Sequence, residues 1–223
     1  MKNNEELQKD VQDAIKWEPL LNAAEIGVTV KDGIVTLNGV VNSYAKKLEA
    51  EQAAKNVAGV KVVVEKLEVS FGTMGVTPDG DIAAAIVNAF KWSSRVPDDK
   101  VKVKVENGYV TLDGELNWNS QRQAAKDAVK NLLGVKYVTN NITIQSESRD
   151  AIEQSEIEAA LRRDWSINDD DISVEVSGTK VTLTGTVKSW YQKNEAETIA
   201  WKAAGVWSVD NQLEVEYYYD MVS

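Results

Sequence analysis

The sequence predicts an α+β protein of three tandem αββαβ modules, each a three-stranded mixed sheet with two helices on one face. Three observations carry this. The segment IVTLNGVV around Gly39 recurs as YVTLDGEL around Gly114 and as KVTLTGTV around Gly185. Twenty residues after each of these glycines stands a Gly-Val pair, at Gly59, Gly134 and Gly205. Within each copy the apolar period changes from helical to alternating and back in the same order. The first two copies keep a spacing of 75 residues, and the third keeps 75 through its first helix and 71 afterwards, so it lacks four residues in one early loop.

Each copy opens with a helix whose apolar residues fall at i, i+4 and i+8. These are Leu7/Val11/Ile15, then Ile82/Ile86/Phe90, then Ile157/Leu161/Trp165. A strand with strict alternation follows, at Ile26/Val28/Val30, Val101/Val103/Val105 and Ile172/Val174/Val176. Asp32-Gly33, Asn107-Gly108 and Ser177-Gly178 then read as tight hairpin turns, because two-residue loops of this kind need positive φ. The second strand is expected to bury Val35/Leu37, Val110/Leu112 and Val181/Leu183.

A second helix offers a small-residue face that sits close on a sheet: Ala50/Ala53/Ala54/Val57/Ala58 in the first copy. The second copy has Ala124/Ala125/Ala128/Val129/Leu132/Leu133 and the third Ala196/Ile199/Ala200/Ala203/Ala204. Gly59, Gly134 and Gly205 are expected at the left-handed position that ends this helix. A third strand closes the unit with Val63, Val138 or Val209 and the alternating pairs Leu67/Val69, Ile142/Ile144 and Leu213/Val215. The expected modules span 1–70, 80–145 and 154–217, with linkers 71–79 and 146–153 and a tail 218–223. At about 65 residues each module is near the lower limit for an independent core, so neighbouring modules are expected to touch.

The opening helix, the V-T-L-x-G motif at Gly39, Gly114 and Gly185, the Ala-rich second helix and the closing G-V-x-x-V together resemble the BON domain. That family closes with an asparagine, matched by Asn140 and Asn211, whereas the first copy has Glu65 there. The resemblance implies a non-catalytic module of bacterial envelope and osmotic-stress proteins, with phospholipid surfaces as an expected partner.

Composition narrows the chemistry independently. The chain has no Cys and no His, so disulfides, thiolate catalysis, thiolate zinc sites and the usual near-neutral base are excluded. No phosphate-cradling glycine motif or paired catalytic carboxylates stand out, and no cofactor or metal is expected. A net charge of −10 without a basic tail argues against nucleic acid. No apolar run follows the N-terminal MKNNEELQKD, so no signal peptide or spanning helix is expected. The expected location is cytoplasmic, or periplasmic if a signal has been removed.

Several residues qualify as contact sites. The motif glycines read as structural, either turning a strand or admitting a close neighbour. Tyr44, Trp118, and Trp190 with Tyr191 cluster where the second helix begins. Such rings either dip into a membrane interface, fix the helix entry, or pack on the next module. Trp17 and Trp92, at equivalent places after the first helix, are expected to cap the core. Residues 217–219, three tyrosines, are expected to dock on the domain or on a second subunit, and Asp169-Asp170-Asp171 reads as a solvated turn.

Charge differs between the copies. Asp and Glu outnumber Lys and Arg by 11 to 8 over residues 5–69 and by 16 to 7 over 147–223, against 8 to 9 over 79–144. The middle copy's first strand reads KVKVKVE and puts Lys100, Lys102 and Lys104 on the face opposite its core valines. These lysines are either a solvated strand face or the place where lipid phosphates are met. The leading expectation is a non-enzymatic binding or scaffolding protein that contacts anionic phospholipid headgroups or protein partners. The alternatives are a holdase-like or assembly protein for apolar segments, and a cytoplasmic cation- or osmolyte-responsive protein.

Overall fold

A computed structural model describes residues 3–72, 77–145, 152–164, 166–167 and 171–216. Trp165, Asp169, Asp170 and the tyrosines at 217–219 lie outside the described residues, as does most of the second linker. The three-copy α+β architecture is present throughout. The first module runs α1 (Asn4–Trp17), β1 (Ile26–Lys31), β2 (Ile34–Val41), α2 (Tyr44–Lys55) and β3 (Val62–Val69), with a 3₁₀ turn at Ala23–Glu25. The second runs α3 (Asp79–Trp92), β4 (Val101–Glu106), β5 (Tyr109–Leu116), α4 (Asn119–Lys130), β6 (Tyr137–Asn140) and β7 (Thr143–Ile144). The third runs α5 (Gln154–Arg163), β8 (Ile172–Ser177), β9 (Lys180–Val187), α6 (Trp190–Lys202), β10 (Ser208–Asn211) and β11 (Glu214–Val215).

Each sheet is mixed for the same reason. The hairpin makes the first two strands antiparallel, and the crossover through the second helix returns the third strand parallel to the second. The order is β1-β2-β3 in the first module, so β3 is an edge strand. In the other two the third strand is interrupted, β6 and β7 or β10 and β11 following one another along β5 or β9. The stripes Leu7/Val11/Ile15, Ile82/Ile86/Phe90 and Ile157/Leu161 are all buried. Val28, Val35, Leu37, Ala50, Ala53, Ala54 and Leu67 join α1 in one core, and the third module repeats that arrangement. Among the described residues the opposite sheet face carries no helix of its own module, which leaves Ile34, Val62 and Val64 exposed.

Hydrogen bonds tie the first helix to the hairpin. Asp79 accepts from the backbone N–H groups of Asn107 (2.7 Å) and Gly108 (2.9 Å), and Asn4 accepts from Asp32 N–H at 2.9 Å. Asp32 and Asn107 hold φ of 53° and 54° beside Gly33 and Gly108, as the two-residue turn requires. The third hairpin departs from expectation. Ser177 pairs with Lys180, so the turn residues are Gly178-Thr179, with positive φ at Gly178 alone. A turn with glycine first needs only one positive φ, which moves it one residue along from Ser177-Gly178.

The second helices are also shorter than expected. They end at Lys55, Lys130 and Lys202, ahead of Gly59, Gly134 and Gly205. Those glycines keep positive φ (105°, 91° and 82°) but sit in the turn that starts the third strand, not at the helix terminus. Ala58, Leu133 and Ala204, lying beyond the helix, are exposed and leave the small-residue face.

By contact the described fold divides into two compact units, residues 1–116 with 120–143, and residues 117–119 with 144–223. The first unit contains the cores of the first two modules and the second that of the third.

Candidate functional site

Tyr44 is the first residue of α2, and the helix begins there because Ser43 Oγ accepts from the Lys46 backbone N–H at 3.3 Å. Its ring is only 3% exposed. It stands edge-on to Tyr137 of β6 in the second module, with centroids 5.5 Å apart and planes at 62°. Burial pushes the Tyr44 phenol up to about 12, and Tyr137, Glu51 and Glu65 push the same way against a hydrogen bond from the Val138 backbone. This residue therefore joins two modules inside the first unit, the packing role among those weighed for it.

The other ring candidates differ from one another. Trp190 occupies the Tyr44 position of the third module, half-buried at the start of α6, with Lys193 Nζ 5.3 Å from its ring centre. Tyr191 beside it is 51% exposed. Trp118 stands one place earlier, where the other copies have the capping Ser43 and Ser189, and is 49% exposed.

Lys100, Lys102 and Lys104 are all exposed; Lys102 and Lys104 lie on the sheet face away from the core, whereas Lys100 falls in the turn before β4 and not in the strand as expected. Acidic groups temper the row. Lys104 Nζ meets Glu106 at 2.9 Å, and Lys102 lies opposite Asp113 across the β4–β5 ladder. The third module's open face is more polar still: Lys180 donates to Asp210 at 2.7 Å, and that bond, with a second from Gln212, holds the Asp210 carboxyl below its usual range.

The motif glycines are structural. A side chain at Gly39, Gly114 or Gly185 would place its Cβ 2.0, 2.3 or 1.9 Å from the backbone carbonyl oxygen of Glu25, Lys100 or Asp171. The strand preceding the hairpin starts there, and nothing but hydrogen fits beneath it. The closing asparagine is structural too. Asn140 Nδ2 donates to the Arg122 carbonyl in α4 at 3.0 Å while its Oδ1 accepts from Ile142 N–H at 3.2 Å. Asn211 does the same with Lys193 (2.9 Å) and Leu213 (3.3 Å). Glu65 keeps the acceptor half, taking the Leu67 N–H, and replaces the donor half with an ion pair to Lys47 at 2.8 Å. Lys47 also donates to the Leu67 carbonyl at 2.7 Å, so the first module closes the same gap by charge.

Two features escape the sequence reading. Trp17 and Trp92 do not cap the core: they are 86% and 90% exposed at the ends of α1 and α3. The stripe of each helix already fills the core with Ile15 or Phe90, and a residue two positions on points away from it. The helical spacing contained that signal. The second is an open groove between α5 and α6, lined by Arg163, Lys202, Glu156, Ala160, Ile199 and Ala203. Its two cations come from the last turns of helices far apart in sequence, so no local pattern marks it.

Among the described residues no group of three or more acidic side chains is arranged to hold a metal ion, and no helix is long and apolar enough to cross a membrane. The shifted groups, Tyr44, Asp164 and Asp210, are explained by burial or by hydrogen bonds, those from Ser166 holding Asp164 low. The fold defines a tandem array of small α+β modules.

The family follows from comparison. Residues 3–70, 78–146 and 149–217 each match the BON domain, and the chain belongs to that family. It is similar to osmotically-inducible protein Y of Escherichia coli (strain K12), at 32% identity over 126 residues. That alignment spans 55% of this chain and 63% of the relative's length. Among solved structures, two of CdsD, described as a structural protein of the type III secretion system of Chlamydia trachomatis, align at 15% and 16% identity. Each covers 96% of this chain, and 94% and 100% of those chains, with TM-scores of 0.27 and 0.25.

Proposed function

We propose that this is a non-enzymatic scaffolding protein of the osmotic- or envelope-stress type that docks on anionic phospholipid surfaces through its second module. The single observation behind this reading is the exposed row of Lys100, just before β4, with Lys102 and Lys104 on β4, reached from Trp92 by one loop that also carries Arg95. An amphipathic ring and several cations in one short stretch suit a headgroup layer, where the indole lies in the apolar boundary and ammonium groups meet phosphates. Each lysine near such a surface contributes about 1 kcal/mol. Glu106 and Asp113 reduce that sum, and the acidic third module is repelled, so contact is weak, oriented and salt-sensitive. Membership of the BON family and the likeness to osmotically-inducible protein Y support the stress setting.

Co-sedimentation with phosphatidylglycerol vesicles tests it. Binding is expected at low salt, weaker at physiological salt, and lost in the triple variant Lys100→Glu, Lys102→Glu, Lys104→Glu. Absence of binding at both salt levels, or an unaffected triple variant, refutes the lipid reading.

A further inference from the structure

The contact between the first two modules has a donor and an acceptor. The donor is the aromatic first residue of the second helix, Tyr44, and the acceptor is Tyr137 on the edge strand β6, with Tyr109 paired beside it. Carried along the repeat, the donor position in the third module is Trp190. The acceptor position in the first module is Val62, with Ile34 paired to it and Val64 one pleat further on. Ile34, Val62 and Val64 are 44%, 48% and 36% exposed. They lie on an eight-residue edge strand and its neighbour, and no other strand pairs with that edge among the described residues. A long apolar edge is a template for association. In the third module the same place holds Lys180, Ser208 and Asp210, the first and last ion-paired, so an aromatic donor has no apolar seat there.

Charge is complementary as well. Exposed Lys31 pairs with Ile34, Lys61 precedes Val62, and Lys66 follows Val64 on the same face of β3, with Glu68 beyond it. On the donor side, Glu197 stands where Glu51 lies beside Tyr44, within residues 147–223, which hold 16 acidic against 7 basic residues.

We infer that the first module's sheet edge is the seat for a second copy of this chain: Trp190 of one copy docks on Ile34, Val62 and Val64 of the next. The contact repeats between chains the Tyr44–Tyr137 contact made within one. It is head-to-tail, since donor and acceptor are different surfaces, and so each copy offers one of each.

Sedimentation velocity on the full chain over a concentration series tests this. The mass is expected to rise with concentration. Val62→Glu and Trp190→Ala are each expected to remain monomeric. An equimolar mixture of the two is expected to form dimers and nothing larger, because only one compatible donor–acceptor pair survives. The chain has no cysteine, so a mixture of Val62→Cys and Trp190→Cys chains reports the same contact by forming a heterodimeric disulfide, including where a charge variant misfolds. A wild-type monomer at every concentration with no such disulfide overturns the proposal, as does association undiminished in both single variants. Vesicle binding lost in Val62→Glu by a chain that is always monomeric overturns it too and makes the edge a membrane face. The lysine row on β4 is not part of this seat, so failure here and failure of lipid docking are separable.

Discussion

Truncating Tyr44 to alanine should uncouple the first two modules. The ring is 3% exposed, so nearly all of its surface returns to water or to a cavity. Removing a buried aromatic to alanine costs about 3–5 kcal/mol. The low end applies because Tyr137, across the contact, is 44% exposed, which lets water fill the gap. A loss of about 3 kcal/mol in a unit of this size lowers Tm by about 6–12 °C. Part of it belongs to the edge-on pair, about 1 kcal/mol, recoverable as the coupling in a double-mutant cycle with Tyr137→Ala. Circular dichroism melts of the four proteins measure both quantities. The same phenol should titrate near 12, above the ordinary tyrosine value of about 10. Its raised value favours the protonated form in the folded state. The stabilisation that goes with it is therefore whole below pH 10 and disappears as pH rises through 12. A Tyr44→Ala protein melting within 2 °C or so of wild type, or a Tyr44 titrating near the ordinary tyrosine value, refutes the packing assigned to it.

Two substitutions probe the module itself. Gly114→Ala would put a methyl group 2.3 Å from the Lys100 carbonyl at a φ of 150°, and should cost more than about 3 kcal/mol. Gly80→Ala in α3, with open space around it, should instead gain up to about 1 kcal/mol, and chemical denaturation compares the pair. Asn140→Ala removes the bonds to the Arg122 carbonyl and the Ile142 N–H, costing about 1–3 kcal/mol and speeding exchange of the Ile142 amide. Asn140→Glu should recover most of that loss with Arg122 standing in for Lys47, and failure to do so contradicts the equivalence drawn with Glu65.

What could be read from the sequence was what depends on nearby residues. The stripe Leu7/Val11/Ile15 and the alternation Ile26/Val28/Val30 are consequences of backbone periods of 3.6 and 2, and both appear in the core. Asp32-Gly33 and Asn107-Gly108 declare their turns because few residue pairs tolerate two positive φ values. The shift to Gly178-Thr179 was harder, since Ser177 and Thr179 both tolerate a turn and strand pairing decides between them. The helix ends differ from expectation because a glycine just past an apolar stripe suits either a helix terminus or the turn beyond it. Trp17 and Trp92 also depart from expectation, because a tryptophan suits a core as well as an interface and here Ile15 and Phe90 already fill the core.

By itself, then, the sequence determined the repeat, the αββαβ order, the core residues and the absence of thiol and imidazole chemistry, all of which follow from local period and composition. Only the tertiary structure decided that Tyr44 packs on the next module, that Glu65 with Lys47 replaces the family asparagine, and that the first module leaves an apolar edge at Val62 and Val64. Those facts depend on which surfaces meet across long stretches of chain. Contacts of that kind are set by the shapes of whole modules, which no window of neighbouring residues contains.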